Sequence, residues 1–466
     1  MDPTVVVRQT SSGDPTTRRA PSTHNDRVAA AVLFVVVFAL YNANGREIGS
    51  YDTKAPELAA RELLLRGTLA LDVPVSATPE YGARWGIIRA RDGHFRGIYS
   101  PLPSLESAAL TWPFWRMNAV DITAPFAPAL MAKVTASTIV AAAVVLSFFV
   151  GRQTASVRTA WLIAAGLGLG TGYWYAASQT LWQTETALAG LTLAVLGLGR
   201  ADRTAAAVTA LTIGCGLSLA GVARPQLAPV IVVLLAATCA RTSRRAAAGA
   251  TVMIAAAGAA LAVFNVRWFG NPAGALPLLT NANAAIHATS ATFAPSVEGV
   301  LGLLLSPNRG ILVFSPVVAL AFAGRLRLRG HQPSVARWCL FAALAQLLLY
   351  ASYSVWWGGH TFGPRYATDL LPLLVPAAAL RLSRPSRGMA LLGATVLVWS
   401  VAVAATGAFC YPNDRWNTSP TDVDRDHARL WTIRDNQILR AWHAGASPQN
   451  YRLFSYAAVR SPPPRR

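Results

Sequence analysis

Residues 124–150, APFAPALMAKVTASTIVAAAVVLSFFV, decide the fold class of this chain. The run is apolar apart from Lys133 and a few hydroxyl side chains, and the basic residues Arg152 and Arg158 follow it. At about 1.5 Å per residue, a helix of this length exceeds the ~30 Å hydrocarbon core of a bilayer. The run therefore predicts a membrane-spanning helix that ends at a basic loop.

The composition extends this prediction to the whole chain. Of the 466 residues, 53% are apolar and 13% are charged, and the mean hydropathy is +0.38. Soluble domains average roughly a quarter charged residues, so a soluble protein this poor in charge would not cover its surface. The composition excludes a soluble enzyme, a disordered chain and a single-span anchor. It predicts an all-α polytopic membrane protein.

The apolar runs predict about eleven transmembrane helices. They are read as helices because open backbone finds no water in a bilayer, and because the runs are too long for barrel strands. The predicted spans are 28–43, 124–150, 158–176, 184–199, 204–222, 226–240, 246–268, 301–324, 338–356, 367–381 and 388–409.

The charge pattern predicts the orientation. The net charge of +20 is spread through short loops, which is not the pattern of a nucleic-acid-binding protein. With the N-terminus in the cytoplasm, every inside loop is basic, as the positive-inside rule requires. The short outside loops carry only Arg224, Arg267, Arg309 and Arg365. The alanine-rich spans and the preference for arginine over lysine indicate a bacterial source. We therefore predict a bacterial plasma-membrane protein with a cytoplasmic N-terminus and an extracytoplasmic C-terminus.

This topology divides the chain into three parts. A cytoplasmic polar arm (1–27) precedes a transmembrane domain (28–409) that contains a long first outer loop (44–122), and an extracytoplasmic tail follows (410–466). In the first outer loop, a proline in the first turn and Gly67 past the end predict a helix over 56–66. The apolar, proline-broken stretch 100–115 is predicted to be a membrane-surface or re-entrant segment.

The segment Ser50-Tyr51-Asp52-Thr53-Lys54-Ala55-Pro56-Glu57 lies just beyond the first span. Asp52 precedes the predicted helix, and a helix N-terminus favours an ionised carboxylate. An ionised carboxylate at the membrane surface is a candidate general base. The alternative is a capping or solvated aspartate in a loop.

Four arginines stand isolated on the predicted outer face, and Arg309, Arg365 and Arg224 lie in distinctive segments. Arg309 lies in Ser306-Pro-Asn-Arg-Gly, where an arginine at membrane depth is a functional candidate or snorkels to the interface. Arg365 lies in the tight loop Trp356-Trp-Gly-Gly-His-Thr-Phe-Gly-Pro-Arg-Tyr366, and Arg224 lies at the end of span five. The planar guanidinium fits phosphate oxygens, so these residues indicate a bound phosphate. The alternative is contact with lipid headgroups.

The remaining polar residues give weaker indications. Cys215, Cys239, Cys339 and Cys410 form no CxxC pair, and no Cys/His group has metal-site spacing, so neither a disulfide framework nor a metal or other cofactor is predicted. Glu185, at the outer start of span four, either contacts a polar substrate or caps the helix. The glycines in 166–172 are typical of close helix packing.

Four motifs together resemble a known pattern: Tyr51-Asp52 with the helix after it, Tyr99-Ser-Pro-Leu-Pro, the Arg309 segment, and the Arg365 segment. In these motifs the chain resembles integral-membrane glycosyltransferases of the GT-C class. It looks most like the bacterial relatives of protein O-mannosyltransferases and of lipid A aminoarabinose transferases. One departure is that many relatives carry two adjacent acids where this chain has only Asp52.

The resemblance implies inverting transfer of a sugar from a polyprenyl-phosphate donor to an extracytoplasmic glycan, lipid or protein. Asp52 would be the general base, and fixed cations would hold the donor phosphate. The implied phosphate ligands are Arg365, Arg309, Arg224 and Lys54, and the implied substrate-lining residues are Trp357, His360, Tyr366, Glu185 and Tyr99.

Two other functions stay open. A transporter or lipid flippase usually shows internal repeats and polar residues at mid-span, and the sequence shows neither. A non-catalytic scaffold for cell-envelope assembly would keep the spans but would not need isolated outer arginines. The expected partners are membrane lipids, the lipid-linked sugar donor and its acceptor, with no nucleic acid.

Overall fold

The computed structural model describes residues 24–82, 85–275, 292–323 and 330–458. The predicted polar arm lies outside the described residues up to residue 23. The described chain is mainly helical, as predicted, with short 3₁₀ or π turns between helices. The helices are α1 (His24–Asn42), α2 (Tyr51–Arg66), α3 (Asp72–Ala77), α4 (Leu102–Arg116), α5 (Ala127–Arg152), α6 (Val157–Leu169), α7 (Thr184–Arg200), α8 (Ala206–Ala223), α9 (Ala228–Arg241), α10 (Arg244–Phe269), α11 (Val297–Leu305), α12 (Ile311–Phe314), α13 (His331–Ser352), α14 (Leu371–Arg381), α15 (Arg387–Phe409), α16 (Gln437–Ala444) and α17 (Arg452–Ala458).

Six of the described helices are long and apolar enough to cross a membrane: α1, α5, α8, α10, α13 and α15. The chain is therefore a multi-pass membrane protein, and the count of eleven spans stays a prediction. The prediction of one continuous helix over 301–324 is wrong. The chain there forms α11, α12 and a 3₁₀ turn at Pro316–Ala321. Pro307 and Pro316 lack the N–H that a continuous helix needs.

Small residues bring the helices close together, as predicted. A Cβ on Gly168 would lie 2.9 Å from Val144 of α5. In α7, a Cβ on Gly190 would lie 2.5 Å from the carbonyl oxygen of Gly216 in α8. Backbones at this distance leave no room for a side chain, so the glycines allow α7 and α8 to pack directly.

Helix α2 begins five residues before its predicted start, and Asp52 lies in its first turn rather than ahead of it. Ser50 is the N-cap, and its hydroxyl accepts the Asp52 N–H at 3.4 Å. A capping serine starts a helix as effectively as a proline in its first turn, and Pro56 is therefore interior. The end is as predicted, because Gly67 has φ +67°, the left-handed conformation that favours glycine.

The predicted proline-broken stretch 100–115 is a continuous helix, α4. Pro103 lies in its first turn, where no N–H is needed, and Pro113 lies in its last turn. The helix exposes large apolar side chains, which fits a membrane-surface segment: Leu105, Leu110, Trp112 and Phe114. A hairpin of β1 (Ile87–Arg89) and β2 (Phe95–Gly97) precedes α4. The sequence did not predict these strands.

The C-terminal segment, residues 410–453, packs against the start of the first outer loop. The Tyr451 N–H donates to the Asn44 carbonyl at 2.8 Å, and the Arg46 guanidinium donates to the Ala408 carbonyl at 3.1 Å. The C-terminal ends of α1 and α15 therefore lie on the same side of the molecule. The chain must therefore cross the membrane an even number of times between the end of α1 and the end of α15. The predicted topology has ten such crossings.

Candidate functional site

Asp52 and Arg365 meet although 313 residues separate them. Arg365 Nη1 lies 3.5 Å from Asp52 Oδ2, and the Asp52 side chain is 36% exposed. The N-cap of α2 places the carboxylate, and the 3₁₀ turn Tyr366–Leu370 follows the arginine. The contact is long for a charge-assisted hydrogen bond, so neither group is fully committed to the other.

Aromatic rings surround this pair. The Arg365 guanidinium lies 4.8 Å from the ring centre of Trp182 and 5.3 Å from that of Tyr366, within the range of cation–π attraction. Burial and the charge of Asp52 raise the pKa of Tyr99. The predicted substrate-lining residues Tyr99 and Tyr366 therefore lie beside the predicted base. Trp182 is an addition that the sequence did not single out.

A buried ion pair adjoins the same place. Arg224 Nη2 lies 3.1 Å from Asp369 Oδ2, and the two side chains are 5% and 0% exposed. Arg224 also donates to the Thr184 hydroxyl at 2.8 Å, and Tyr350 donates to Asp369. Arg224 thus lies near the predicted site, but it already has a counter-charge.

Several of the buried polar atoms that lack a hydrogen-bond partner among the described residues lie here. They are Trp182 Nε1, Gln183 Nε2, Glu185 Oε1, Arg224 Nε, Arg365 Nε and Asp369 Oδ1. Buried polar groups are normally hydrogen-bonded, so this group of atoms is typical of a site that binds a polar ligand.

Glu185 is fully buried at the start of α7. Its Oε2 accepts the Trp182 N–H at 3.0 Å, which is a capping contact, while Oε1 has no partner. On α4, Glu106 accepts a hydrogen bond from Thr186, and burial raises the pKa of Glu106 to about 7. Glu185 can therefore cap the helix with one oxygen and contact a polar substrate with the other. Glu106 is a further acidic group, which the sequence did not single out.

Lys54 has two carboxylate partners. Its Nζ lies 2.9 Å from Glu47 and 2.7 Å from Glu57, and Thr180 donates to Glu57 at 2.9 Å. Burial and the charge of Glu47 raise the pKa of Glu57 to about 8. Because Glu47 compensates the charge of Lys54 and Glu57 also accepts a hydrogen bond from it, this geometry does not favour the predicted contact between Lys54 and a phosphate.

Arg309 is fully buried, and all five of its N–H donors are used. The acceptors are the Trp357 carbonyl (3.1 Å), the Asn308 carbonyl (2.7 Å), Gln437 Oε1 (2.7 Å), the Gly359 carbonyl (3.2 Å) and Asn417 Oδ1 (2.7 Å). The side chain ties the turn at 357–359 to the C-terminal segment. It has no donor left for a phosphate, so its position favours a structural role over the predicted one.

Two predicted substrate-lining residues also face the C-terminal segment. Trp357 Nε1 donates to Asp424 at 2.7 Å. His360 Nε2 lies 2.8 Å from Asp422, and the His360 side chain is 32% exposed. Sequence spacing did not reveal these contacts, because the partners are more than sixty residues away in the chain.

No family model matches the chain, and no curated protein matches its sequence. Among solved structures, the chain is similar to the crystal structure of ArnT from Cupriavidus metallidurans bound to undecaprenyl phosphate. The match has 14% identity and a TM-score of 0.47, and it covers 91% of this chain and 76% of that chain. That protein belongs to the predicted GT-C class.

Proposed function

We propose that this chain is a membrane glycosyltransferase of the GT-C class. It transfers a sugar from a polyprenyl phosphate to an extracytoplasmic acceptor, with Asp52 as the general base. The observation that carries the proposal is the meeting of Asp52 and Arg365 at 3.5 Å, beside buried polar atoms that lack partners. Transfer from a lipid phosphate needs a base for the acceptor and a fixed cation for the leaving group. These two side chains supply both.

Asp52 is the most available acid near the start of the loop. The other two, Glu47 and Glu57, are 10% and 1% exposed and bind Lys54, whereas Asp52 is 36% exposed. Its place in the first turn of α2 puts the carboxylate at the positive end of the helix dipole. An acceptor hydroxyl therefore finds an accessible carboxylate.

The reaction follows from this geometry. The acceptor oxygen attacks the anomeric carbon of the sugar while its proton passes to Asp52. The bond between that carbon and the phosphate oxygen breaks on the opposite face, and its electron pair goes to the phosphate. The configuration at the anomeric carbon is therefore inverted.

Arg365 couples the two events. While Asp52 is ionised, it compensates part of the charge of Arg365. When Asp52 takes the proton, that compensation ends at the moment when negative charge grows on the phosphate. The guanidinium is then free to stabilise the leaving group. A cation near a base serves this reaction better than a cation that is permanently paired.

The proposed orientation places the first outer loop and the C-terminal segment outside the cytoplasm. Each predicted inside loop is basic, and the contact between residues 44–46 and the C-terminal segment supports a common side for both. Reporter fusions at Arg203, Arg244 and the C-terminus test this. A cytoplasmic C-terminus would contradict it.

The test of function uses the full chain purified in lipid nanodiscs. Sugar transfer from a panel of polyprenyl-phosphate sugars is measured for the wild type, Asp52→Asn and the control Asp72→Asn, an exposed acid of the same loop. Loss of a positioned base typically costs 10²–10⁴-fold in rate, so Asp52→Asn falls by that factor and the control does not. Transfer by Asp52→Asn at the wild-type rate would falsify the assignment of the base.

The donor site is tested by binding of a polyprenyl monophosphate. Arg365→Ala weakens binding more than Arg365→Lys, because lysine keeps the charge and loses only the planar fork. Unchanged binding in both variants places the phosphate elsewhere. Glycan and lipid profiling of a deletion strain, complemented with the wild type or Asp52→Asn, identifies the sugar and the acceptor.

A further inference from the structure

We propose that His360, Asp422 and Asp424 form a binding site for a divalent cation. The loop after α13 supplies the histidine, and the C-terminal segment supplies both aspartates. His360 Nε2 lies 2.8 Å from Asp422 Oδ1 and 3.2 Å from Asp424 Oδ2. The three potential ligand atoms all lie within 4.8 Å of one another.

The hydrogen-bond count at this point favours a cation. A neutral imidazole carries at most one hydrogen on Nε2, but two carboxylate oxygens approach that nitrogen. One hydrogen on Nε2 does not point at both oxygens, whereas a cation contacts both. Ligand atoms of a tetrahedral site with bonds of about 2.1 Å lie about 3.4 Å apart, and the two separations of 2.8 and 3.2 Å are slightly shorter than this. A cation between the three atoms would serve all of them.

Neighbouring groups already orient the aspartates. Trp357 donates its indole N–H to Asp424 Oδ1 at 2.7 Å, so the other oxygen faces His360. The Asp424 backbone N–H donates to Asp422 Oδ1 at 2.9 Å. Trp357 is 2% exposed and Asp424 is 3% exposed. Metal ligands are typically held in this way by a second layer of hydrogen bonds.

The ligand types select the class of cation. Ca²⁺ and Mg²⁺ prefer oxygen ligands alone, whereas one imidazole nitrogen with carboxylates suits Zn²⁺ or Mn²⁺. His360 and Asp422 are 32% and 36% exposed, which leaves an open side for water as a further ligand. We therefore assign Zn²⁺ as the first candidate.

The site would join two parts of the molecule. His360 precedes Arg365 by five residues in the same loop, and the aspartates belong to the segment that Arg309 also binds. A bound cation would therefore hold the loop of Arg365 against the C-terminal segment. This inference does not depend on the proposed transferase activity, because cation binding is measured without sugar transfer.

The experiment measures Zn²⁺ binding to the purified full chain, free of any affinity tag, by competition with a chromophoric chelator. Mn²⁺ and Ca²⁺ are measured in parallel. The variants are His360→Gln and Asp422→Asn. The matched control is His94→Gln, which removes a histidine paired with Asp72 at 2.8 Å without a third ligand. We expect His360→Gln and Asp422→Asn to lose one Zn²⁺ equivalent or at least about tenfold in affinity, and the control to keep it.

Equal Zn²⁺ stoichiometry and affinity in the wild type, His360→Gln and Asp422→Asn would overturn the proposal. The cluster would then be a histidine that hydrogen-bonds the aspartates without a metal. Tighter binding of Ca²⁺ than of Zn²⁺ would overturn the assignment of the cation class. Because Asp422 is partly exposed, Asp422→Asn keeps the fold even if His360→Gln does not, and size-exclusion profiles check this.

Discussion

Replacing Arg309 by methionine tests whether this arginine holds the C-terminal segment in place. Methionine keeps a long side chain but removes all five donors. Two of the acceptors keep another donor: the Gly363 N–H bonds Gln437 Oε1 at 3.1 Å, and the Thr361 N–H bonds the Gly359 carbonyl at 3.0 Å. The other three acceptors, the carbonyls of Asn308 and Trp357 and the amide oxygen of Asn417, lose the donor that Arg309 supplies.

The expected cost follows from those three acceptors. A buried polar group left without a partner costs about 1–3 kcal/mol. The carbonyls of Asn308 and Trp357 and the amide oxygen of Asn417 together therefore cost at least about 3 kcal/mol. Arg309→Lys restores up to three donors and costs less. Arg425→Met, at an exposed position of the same segment, is the control and costs little.

Hydrogen exchange of residues 410–453 and thermal unfolding in nanodiscs measure the effect. We expect faster exchange in that segment and a lower unfolding midpoint for Arg309→Met, with the control unchanged. Wild-type exchange and midpoint in Arg309→Met would refute the structural role. If Arg309→Lys instead keeps the fold and loses polyprenyl-phosphate binding, Arg309 is a phosphate ligand, as the sequence predicted.

Three further predictions concern stability. Burial raises the pKa of Asp414 to about 6, above the ~3.9 of an unfolded aspartate. The folded state therefore binds this proton more tightly than the unfolded state does, and the stability of the fold falls as the pH rises from about 4 to 6. Asp414→Asn should gain about 2–3 kcal/mol at pH 7.5 and nothing at pH 3.5, as measured by unfolding at both pH values. Asp369→Asn leaves the Arg224 charge buried without its counter-charge and should cost about 3–5 kcal/mol in the same assay, whereas a wild-type midpoint would contradict the buried pair. Gly190→Ala forces α7 and α8 apart and should lower the unfolding midpoint, while Gly258→Ala, whose Cβ meets nothing within 4 Å, should not.

The sequence predicted the features that local patterns determine. Runs of apolar residues predicted most of the helices, and Gly67 predicted the end of α2. The predicted start of α2 at Pro56 was wrong because Ser50 caps the helix, which begins at Tyr51. The break between α11 and α12 contains Pro307. One proline within a long apolar run did not outweigh the hydrophobic pattern in the prediction.

Contacts over long chain distances account for what the sequence missed. Arg309 looked like a free cation because the sequence around it offers few counter-charges. Lys54 is a different case, because its partners Glu47 and Glu57 lie only seven and three residues away in the chain. Three of the acceptors of Arg309 are backbone carbonyls, which leave no trace in residue types. Asp369 was visible in the sequence, but only the fold shows that it pairs with Arg224. The same limit applies to Asp422 and Asp424, which reach His360 only through the fold.

The two ion pairs of the candidate site differ in distance and burial, which favours a structural role for one pair and a chemical role for the other. Arg224 and Asp369 lie 3.1 Å apart with almost no exposure, whereas Arg365 and Asp52 lie 3.5 Å apart and both reach solvent. Separating a buried pair leaves uncompensated charges in a low dielectric, so the first pair is fixed. The second pair costs less to separate, because water reaches both side chains, and the phosphate of the proposed donor would replace Asp52 as the partner of Arg365. The proposed reaction binds an anion and accepts a proton in one step. It needs an ion pair that separates easily, such as Arg365 and Asp52, and a fixed pair beside it, such as Arg224 and Asp369.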